Sequence, residues 1–113
     1  MHEMSLCEGI VQIIEEQAGI QQYSRVRTVW LEIGPLACVE PEALRFSFEV
    51  VSRNTLAEGA VLEIIRTAGR AWCARCRKSV PVSQLYDACP ECGGYELEIT
   101  GGEETRIKEL EVE

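Results

Sequence analysis

The chain has 113 residues, with 11 Lys and Arg against 19 Asp and Glu, a formal net charge of −8, six cysteines and a single histidine. That length holds one domain, or one small domain carrying a smaller module, and an apolar fraction of 46% with 27% charged residues excludes global disorder. The acidic balance argues against generic nucleic-acid binding, which runs on Lys and Arg neutralising phosphates.

No apolar run approaches the roughly 20 residues that span a bilayer. The N-terminus has no basic stretch and glutamates interrupt its first twenty residues, so it does not read as a signal peptide. The expected location is therefore the reducing cytoplasm, with no membrane partner. In that compartment clustered cysteines point to metal or catalysis rather than disulfides.

Residues 5–18 are predicted as an amphipathic helix. Ser5 and Glu8 have the spacing of a capping box, Met4, Cys7, Ile10, Val11, Ile14 and Ala18 share one face, and Gly19 is the expected stop. A strand is predicted over 26–33, with Val29, Leu31 and Ile33 on one side and Gly34-Pro35 ending it. Pro41 suits the first turn of a second helix, followed by Leu44, Phe48 and Val51 on one face. The stretch 60–67 is apolar on both faces and reads as a central strand. Residues 70–100 differ in character and hold four cysteines, Gly101-Gly102 mark their far edge, and the tail from Glu103 alternates like a half-buried strand.

These elements make an α+β fold: a small mixed sheet with two helices, plus an inserted zinc-ribbon domain with four cysteine ligands. The expected division is 1–69 with 101–113 as one domain and 70–100 as the other. Thirty-one residues are too few for an apolar core of their own, so the insertion needs a staple.

Cys73-Ala-Arg-Cys76 and Cys89-Pro-Glu-Cys92-Gly93-Gly94 supply it. Each C-x2-C pair forms a tight knuckle presenting two thiolates, and two knuckles close a tetrahedron around one Zn²⁺. Zinc binding of order 10–16 kcal/mol in model peptides is ample to fold such a ribbon. Four protein ligands leave no open position, which makes the zinc structural. A thioredoxin-type pair needs a βαβ setting that is absent, and two disulfides need an oxidising compartment; a rubredoxin-like iron centre shares the spacing and stays open. Arg70, Arg75, Arg77 and Lys78 form a basic patch beside the ribbon, read as solvated surface, with a nucleic-acid contact as the alternative. Cys7 and Cys38 lie outside the motif and read as small buried hydrophobes.

The one histidine is His2. Met1 brings an α-amine, His2 an imidazole, and the amides of His2 and Glu3 complete up to four nitrogens in a plane when deprotonated. Square-planar nitrogen selects Ni(II) or Cu(II) over Zn(II), Mg(II) or Ca(II). A residue as bulky as histidine at the second position favours retention of Met1, which the amine requires.

A Met1-His2-Glu3 start running into Met4-Ser5-Leu6-Cys7, the strand Val29-Trp30-Leu31-Glu32-Ile33-Gly34 and the paired C-x2-C motifs resemble the HypA/HybF family of hydrogenase nickel-incorporation proteins. The resemblance covers essentially the whole chain. It implies a metallochaperone rather than an enzyme, delivering Ni(II) to the [NiFe]-hydrogenase large-subunit precursor together with the maturation GTPase of that system. Transferred by position, it places transient nickel on Met1, His2 and Glu3, with His2 the essential side chain and Glu3 giving mainly its backbone nitrogen. Glu40 is a weaker candidate, a carboxylate near that site. Zinc falls on Cys73, Cys76, Cys89 and Cys92. Two rival readings, a zinc-ribbon adaptor for nucleic acid or for a protein partner, would need zinc and be indifferent to the N-terminus.

Overall fold

The protein is seen in a computed structural model that describes residues 2–113, His2 through its backbone alone. Helix α1 spans His2–Gln21, strand β1 Val26–Ile33, helix α2 Pro41–Ser52 and strand β2 Val61–Arg66. Three short strands follow, β3 Gly69–Cys73, β4 Lys78–Val82 and β5 Leu97–Gly101, and β6 Thr105–Val112 ends the chain.

α1 is longer than its predicted 5–18 core at both ends. Ser5 lies inside the helix body and does not cap it, and the chain runs through Gly19. The stop comes at Gln22, which takes the left-handed conformation (φ +59°) and donates its N–H to the Ala18 carbonyl at 2.9 Å. A single residue in that conformation closes a helix by satisfying one of its last carbonyls. The buried face is as its periodicity predicts: Cys7, Ile10, Val11 and Ile14 are almost fully enclosed. In α2, Pro41 occupies the first turn and Glu40 is the N-cap, its carboxylate accepting the Glu42 N–H at 2.9 Å. Leu44 and Phe48 are buried, whereas Val51 is only half-buried and Ser47 and Ser52 take the enclosed positions beside them.

The first sheet has the order β2-β1-β6. The Thr67 N–H reaches the Ile33 carbonyl, joining the ends of β2 and β1 in the parallel sense. Against β6, β1 bonds at opposite ends, Ser24 to Glu113 and Gly34 to Glu104, the antiparallel sense. The sheet is thus mixed, and β1-α2-β2 is a crossover unit. β2 was expected at the centre from its two apolar faces, but the centre is β1. Val61 shows why the pattern misleads, since this apolar residue of β2 is 53% exposed on an edge strand. β1 carries the enclosed positions instead, with Val29, Leu31 and Ile33 all at 1% exposure or less.

The second sheet is antiparallel with the order β4-β3-β5. β3 pairs Ala71 with Val80 on one side and with Ile99 on the other. Its apolar cluster is small: Leu36, Ala71, Cys73, Val80, Val82 and Cys89, with Cys76, Leu97 and Ile99 against it. Cysteines make up a third of that list, so the packing and the metal chemistry share the same side chains.

The chain divides into two compact units. One comprises Met1–Leu31, Val39–Ile64 and Ile107–Glu113; the other comprises Glu32–Cys38 and Ile65–Arg106. The cysteine-bearing unit therefore takes in chain on either side of residues 70–100, and Leu36 joins its apolar cluster. Within it, Gly34, Gly69 and Gly102 pack backbone against backbone: a Cβ on Gly34 would lie 2.0 Å from the Gly102 carbonyl oxygen.

Candidate metal centre

β3 ends in Cys73 and the turn to β4 holds Cys76, while Cys89 and Cys92 lie on the loop that leads to β5. The two knuckles are built alike. The Arg77 N–H bonds the Cys73 carbonyl at 2.7 Å and the Gly93 N–H bonds the Cys89 carbonyl at 2.8 Å. Both residues that follow a C-x2-C pair are left-handed, Arg77 at φ +56° and Gly93 at φ +72°. Glycine enters that conformation freely; Arg77 is held there at a cost of order 1 kcal/mol. The Cys76 N–H also points at the Cys73 sulfur, at 3.4 Å.

The four sulfur atoms all lie within 4.8 Å of one another. Cys73 Sγ is 3.7 Å from Cys92 Sγ, and Cys76 Sγ is 3.9 Å from Cys89 Sγ. A tetrahedron with Zn–S bonds of about 2.3 Å has edges of about 3.8 Å. A disulfide needs about 2.05 Å, and all six cysteines are free thiols. The cluster fits zinc on its distances and its donor set. Cys73 and Cys89 are buried, Cys76 is half-buried and Cys92 faces solvent. The N–H groups of Cys92 and Glu91 favour the Cys89 thiolate and bring that thiol down to about 7. Burial, with hydrogen bonds to the other three thiols, pushes Cys76 up to about 12.

Two residues of the basic patch are engaged locally. Lys78 Nζ meets Glu91 Oε1 at 2.5 Å, and that hydrogen bond raises the Lys78 pKa. Arg70 Nε donates to Ser79 Oγ at 3.2 Å.

At the other end of the chain, Met1 and the His2 side chain lie outside the described residues. Glu3 is in the first turn of α1 and is buried at 8% exposure, its Oε2 accepting the Glu40 N–H at 3.3 Å. The structure thus brings Glu3 and Glu40 together, and Glu40 uses its own carboxylate on Glu42. Sequence reasoning gave Glu40 no capping role; a glutamate directly before Pro41 was the signal. Cys7, one turn beyond Glu3, is enclosed and donates to the Leu44 carbonyl at 3.5 Å. Burial first, then the Glu3 carboxylate, pushes its thiol up to about 11. Its expected role as a buried small hydrophobe fits this placement, whereas Cys38 is exposed, which corrects the expectation for it. The residue sits in a left-handed turn (φ +58°) that turns its side chain out of the core.

Comparison with known proteins gives the family. The family model for HypA, described as hydrogenase/urease nickel incorporation, metallochaperone, matches residues 1–112. Hydrogenase maturation factor HypA of Azotobacter chroococcum mcd 1 is 64% identical over 113 residues, and that of Azotobacter vinelandii 61%, each alignment covering all of both chains. The solution structure of the Ni metallochaperone HypA from Helicobacter pylori matches with a TM-score of 0.74 at 26% identity, covering 99% of this chain and 97% of that one. With a four-thiol cluster that fits zinc and a match that runs from end to end, this chain belongs to the HypA family of nickel metallochaperones, a family of hydrogenase maturation factors and not of enzymes.

Proposed function

We propose that this protein carries Ni(II) to the large-subunit precursor of [NiFe]-hydrogenase in the cytoplasm, in cooperation with the maturation GTPase of that system. The family match over residues 1–112, which include the Met1-His2-Glu3 start, carries the reading. Nickel is cargo here. It is held by the Met1 amine, the His2 imidazole and the amide nitrogens of His2 and Glu3. α1 begins at His2, and the first four N–H groups of an α-helix have no acceptor within the helix. Taking two of those nitrogens for nickel therefore breaks no rung of the α1 ladder. The Glu3 carboxylate, engaged with the Glu40 N–H, supports a backbone contribution from Glu3. Glu40 flanks the site as a carboxylate without being a ligand. Zinc is held by Cys73, Cys76, Cys89 and Cys92 and stays with the protein. No described helix is long and apolar enough to cross a membrane.

The test is nickel uptake, by equilibrium dialysis of zinc-loaded protein with its native N-terminus, of His2→Ala, and of protein with residues added before Met1. The native form is expected to bind one nickel and the other two to lose it while keeping zinc. Equal uptake by all three removes the N-terminal site. Transfer of bound nickel to purified large-subunit precursor, measured after separation of the two proteins, tests delivery.

A further inference from the structure

The cysteine-bearing unit has a groove that neither metal uses. Val82 of β4 with Leu97 and Ile99 of β5 form its floor, and Leu85, Tyr86 and Tyr95 its rim. Its volume, about 260 Å³, falls below the roughly 300–1,000 Å³ of small-molecule pockets and suits side chains of a protein segment. The rim is unusually open, with Tyr86 91% and Tyr95 74% exposed. Tyr86 is also strained: its φ of +68° is one that a bulky residue keeps only where the surroundings enforce it. Asp87 enforces it. Its Oδ2 accepts the Ser83 N–H at 2.9 Å, the Gln84 N–H at 3.1 Å and the Ser83 hydroxyl at 3.2 Å. That carboxylate is the only charge on the lining, and these bonds engage it.

Two further observations define an occupant. Among the described residues β5 pairs with β3 alone, so its outer edge offers unpaired N–H and C=O groups to an added strand. Along β5 the sides alternate: Leu97 and Ile99 face the groove, and Glu98 faces the opposite side, where it pairs with the exposed Trp72. Glu96, just before the strand, is also exposed. An added strand therefore meets an apolar surface on one side and acidic residues on the other.

We propose that this groove and the β5 edge dock an extended segment of a partner protein in which apolar and basic residues alternate. The apolar side chains lie against Leu97, Ile99 and Tyr95, and the basic ones lie beside Glu98. The segment joins the sheet as a fourth strand. This surface is independent of nickel, so it stands or falls separately from the N-terminal site.

The experiment is a titration of ¹⁵N-labelled, zinc-loaded full-length protein with three capped nonapeptides, alternating Leu/Lys, Leu/Glu and Ser/Lys. The Leu/Lys peptide is expected to shift the amides of Leu97–Gly101 and the rings of Tyr86 and Tyr95. The other two peptides should bind about tenfold more weakly or less, as should Tyr95→Ser with the Leu/Lys peptide. Zinc content confirms that this surface variant is folded, and His2→Ala is expected to bind like the parent. Shifts that map elsewhere, equal binding of Leu/Glu, an unaffected Tyr95→Ser, or no shift at millimolar peptide would each overturn the proposal. Concentration-dependent broadening of β5 in the free protein would also overturn it, in favour of a second copy of this chain on the edge.

Discussion

Two glycine-to-alanine substitutions should move stability in opposite directions. A Cβ on Gly34 would lie 2.0 Å from the Gly102 oxygen, 2.2 Å from its carbonyl carbon and 2.6 Å from its Cα, all backbone atoms that no rotamer change can move. Real Cβ contacts are not found under 3.0 Å, so the two chain passages must separate by about 1 Å. That displacement stretches the Gly34 N–H to Glu104 bond, now 2.9 Å, and the Leu36 N–H to Gly102 bond, now 2.7 Å. Gly34 and Leu36 are buried, and each buried group left without a partner costs about 1–3 kcal/mol. Alanine returns at most about 1 kcal/mol through the unfolded chain. The net loss is about 1–5 kcal/mol, roughly 4–25 °C in Tm at this chain length. Gly9 lies within α1 with nothing within 4 Å of its built Cβ, so alanine there should stabilise by about 0.5–1 kcal/mol. Thermal melts of zinc-saturated protein, followed by far-UV and near-UV dichroism together, measure both. A Gly34→Ala melt within about 2 °C of the parent, or shifts of the same sign in the two variants, would refute the close approach.

Glu40→Ala removes the N-cap of α2 and is expected to cost about 0.5–2 kcal/mol in urea unfolding, with Glu40→Ser recovering most of it. If Glu40 acts on nickel only as a flanking carboxylate, Glu40→Ser keeps nickel uptake; loss of uptake would promote Glu40 to a ligand. Zinc takes thiolates, so its affinity rises as protons leave the cysteines. Cys89, at about 7, must yield a proton to zinc below that pH and none well above it, whereas Cys76, at about 12, yields one throughout. The affinity contributed by Cys89 is therefore present above pH 7 and lost as pH falls. A plot of log apparent zinc affinity against pH should steepen by about one below that point, and chelator competition showing a constant slope would contradict it. In zinc-loaded protein a thiol reagent should modify the exposed Cys38 rapidly and Cys7 only on unfolding, because Cys7 is enclosed and its thiol is raised to about 11. Comparable rates would show that the α1–α2 contact opens readily.

Spacing carried the cysteine cluster, because a C-x2-C knuckle is a local structure and two of them need only be brought within a few ångströms. The buried face of α1 and the alternation of β1 were equally legible, since a helix or strand declares its covered side through its own period. Four features were not. The start of α1 was read three residues late because Ser5 and Glu8 match a capping box, yet the helix continues N-terminally through them. β2 looked central because Leu62, Ile64 and Ile65 are apolar, but edge or centre is decided by what pairs beside a strand, which composition does not contain. Arg77 gave no sign of its left-handed backbone; only its equivalence with Gly93 in the second knuckle makes the conformation intelligible. Gly34 and Gly102 likewise read only as the ends of segments in sequence, while together with Gly69 they form a close approach of three chain passages.

The two proposed metal sites differ in ways that fit holding one ion and releasing the other. Four thiolates would hold zinc on knuckles tied by backbone hydrogen bonds, with two of the sulfurs buried. Four protein ligands would leave an incoming ligand no vacant position, which favours retention of zinc. The nitrogen set proposed for Met1, His2 and Glu3 would instead leave nickel open to an acceptor thiolate before the nitrogens depart. Reprotonation of the His2 and Glu3 amides would then disfavour rebinding, since a neutral amide nitrogen is a poor ligand. The same step restores ordinary N–H groups to the first turn of α1, where Glu3 is anchored to the N-terminus of α2 through the Glu40 N–H. Weakening that anchor should therefore alter nickel release more than zinc retention, which Glu3→Gln, assayed for both metals in one sample, would resolve.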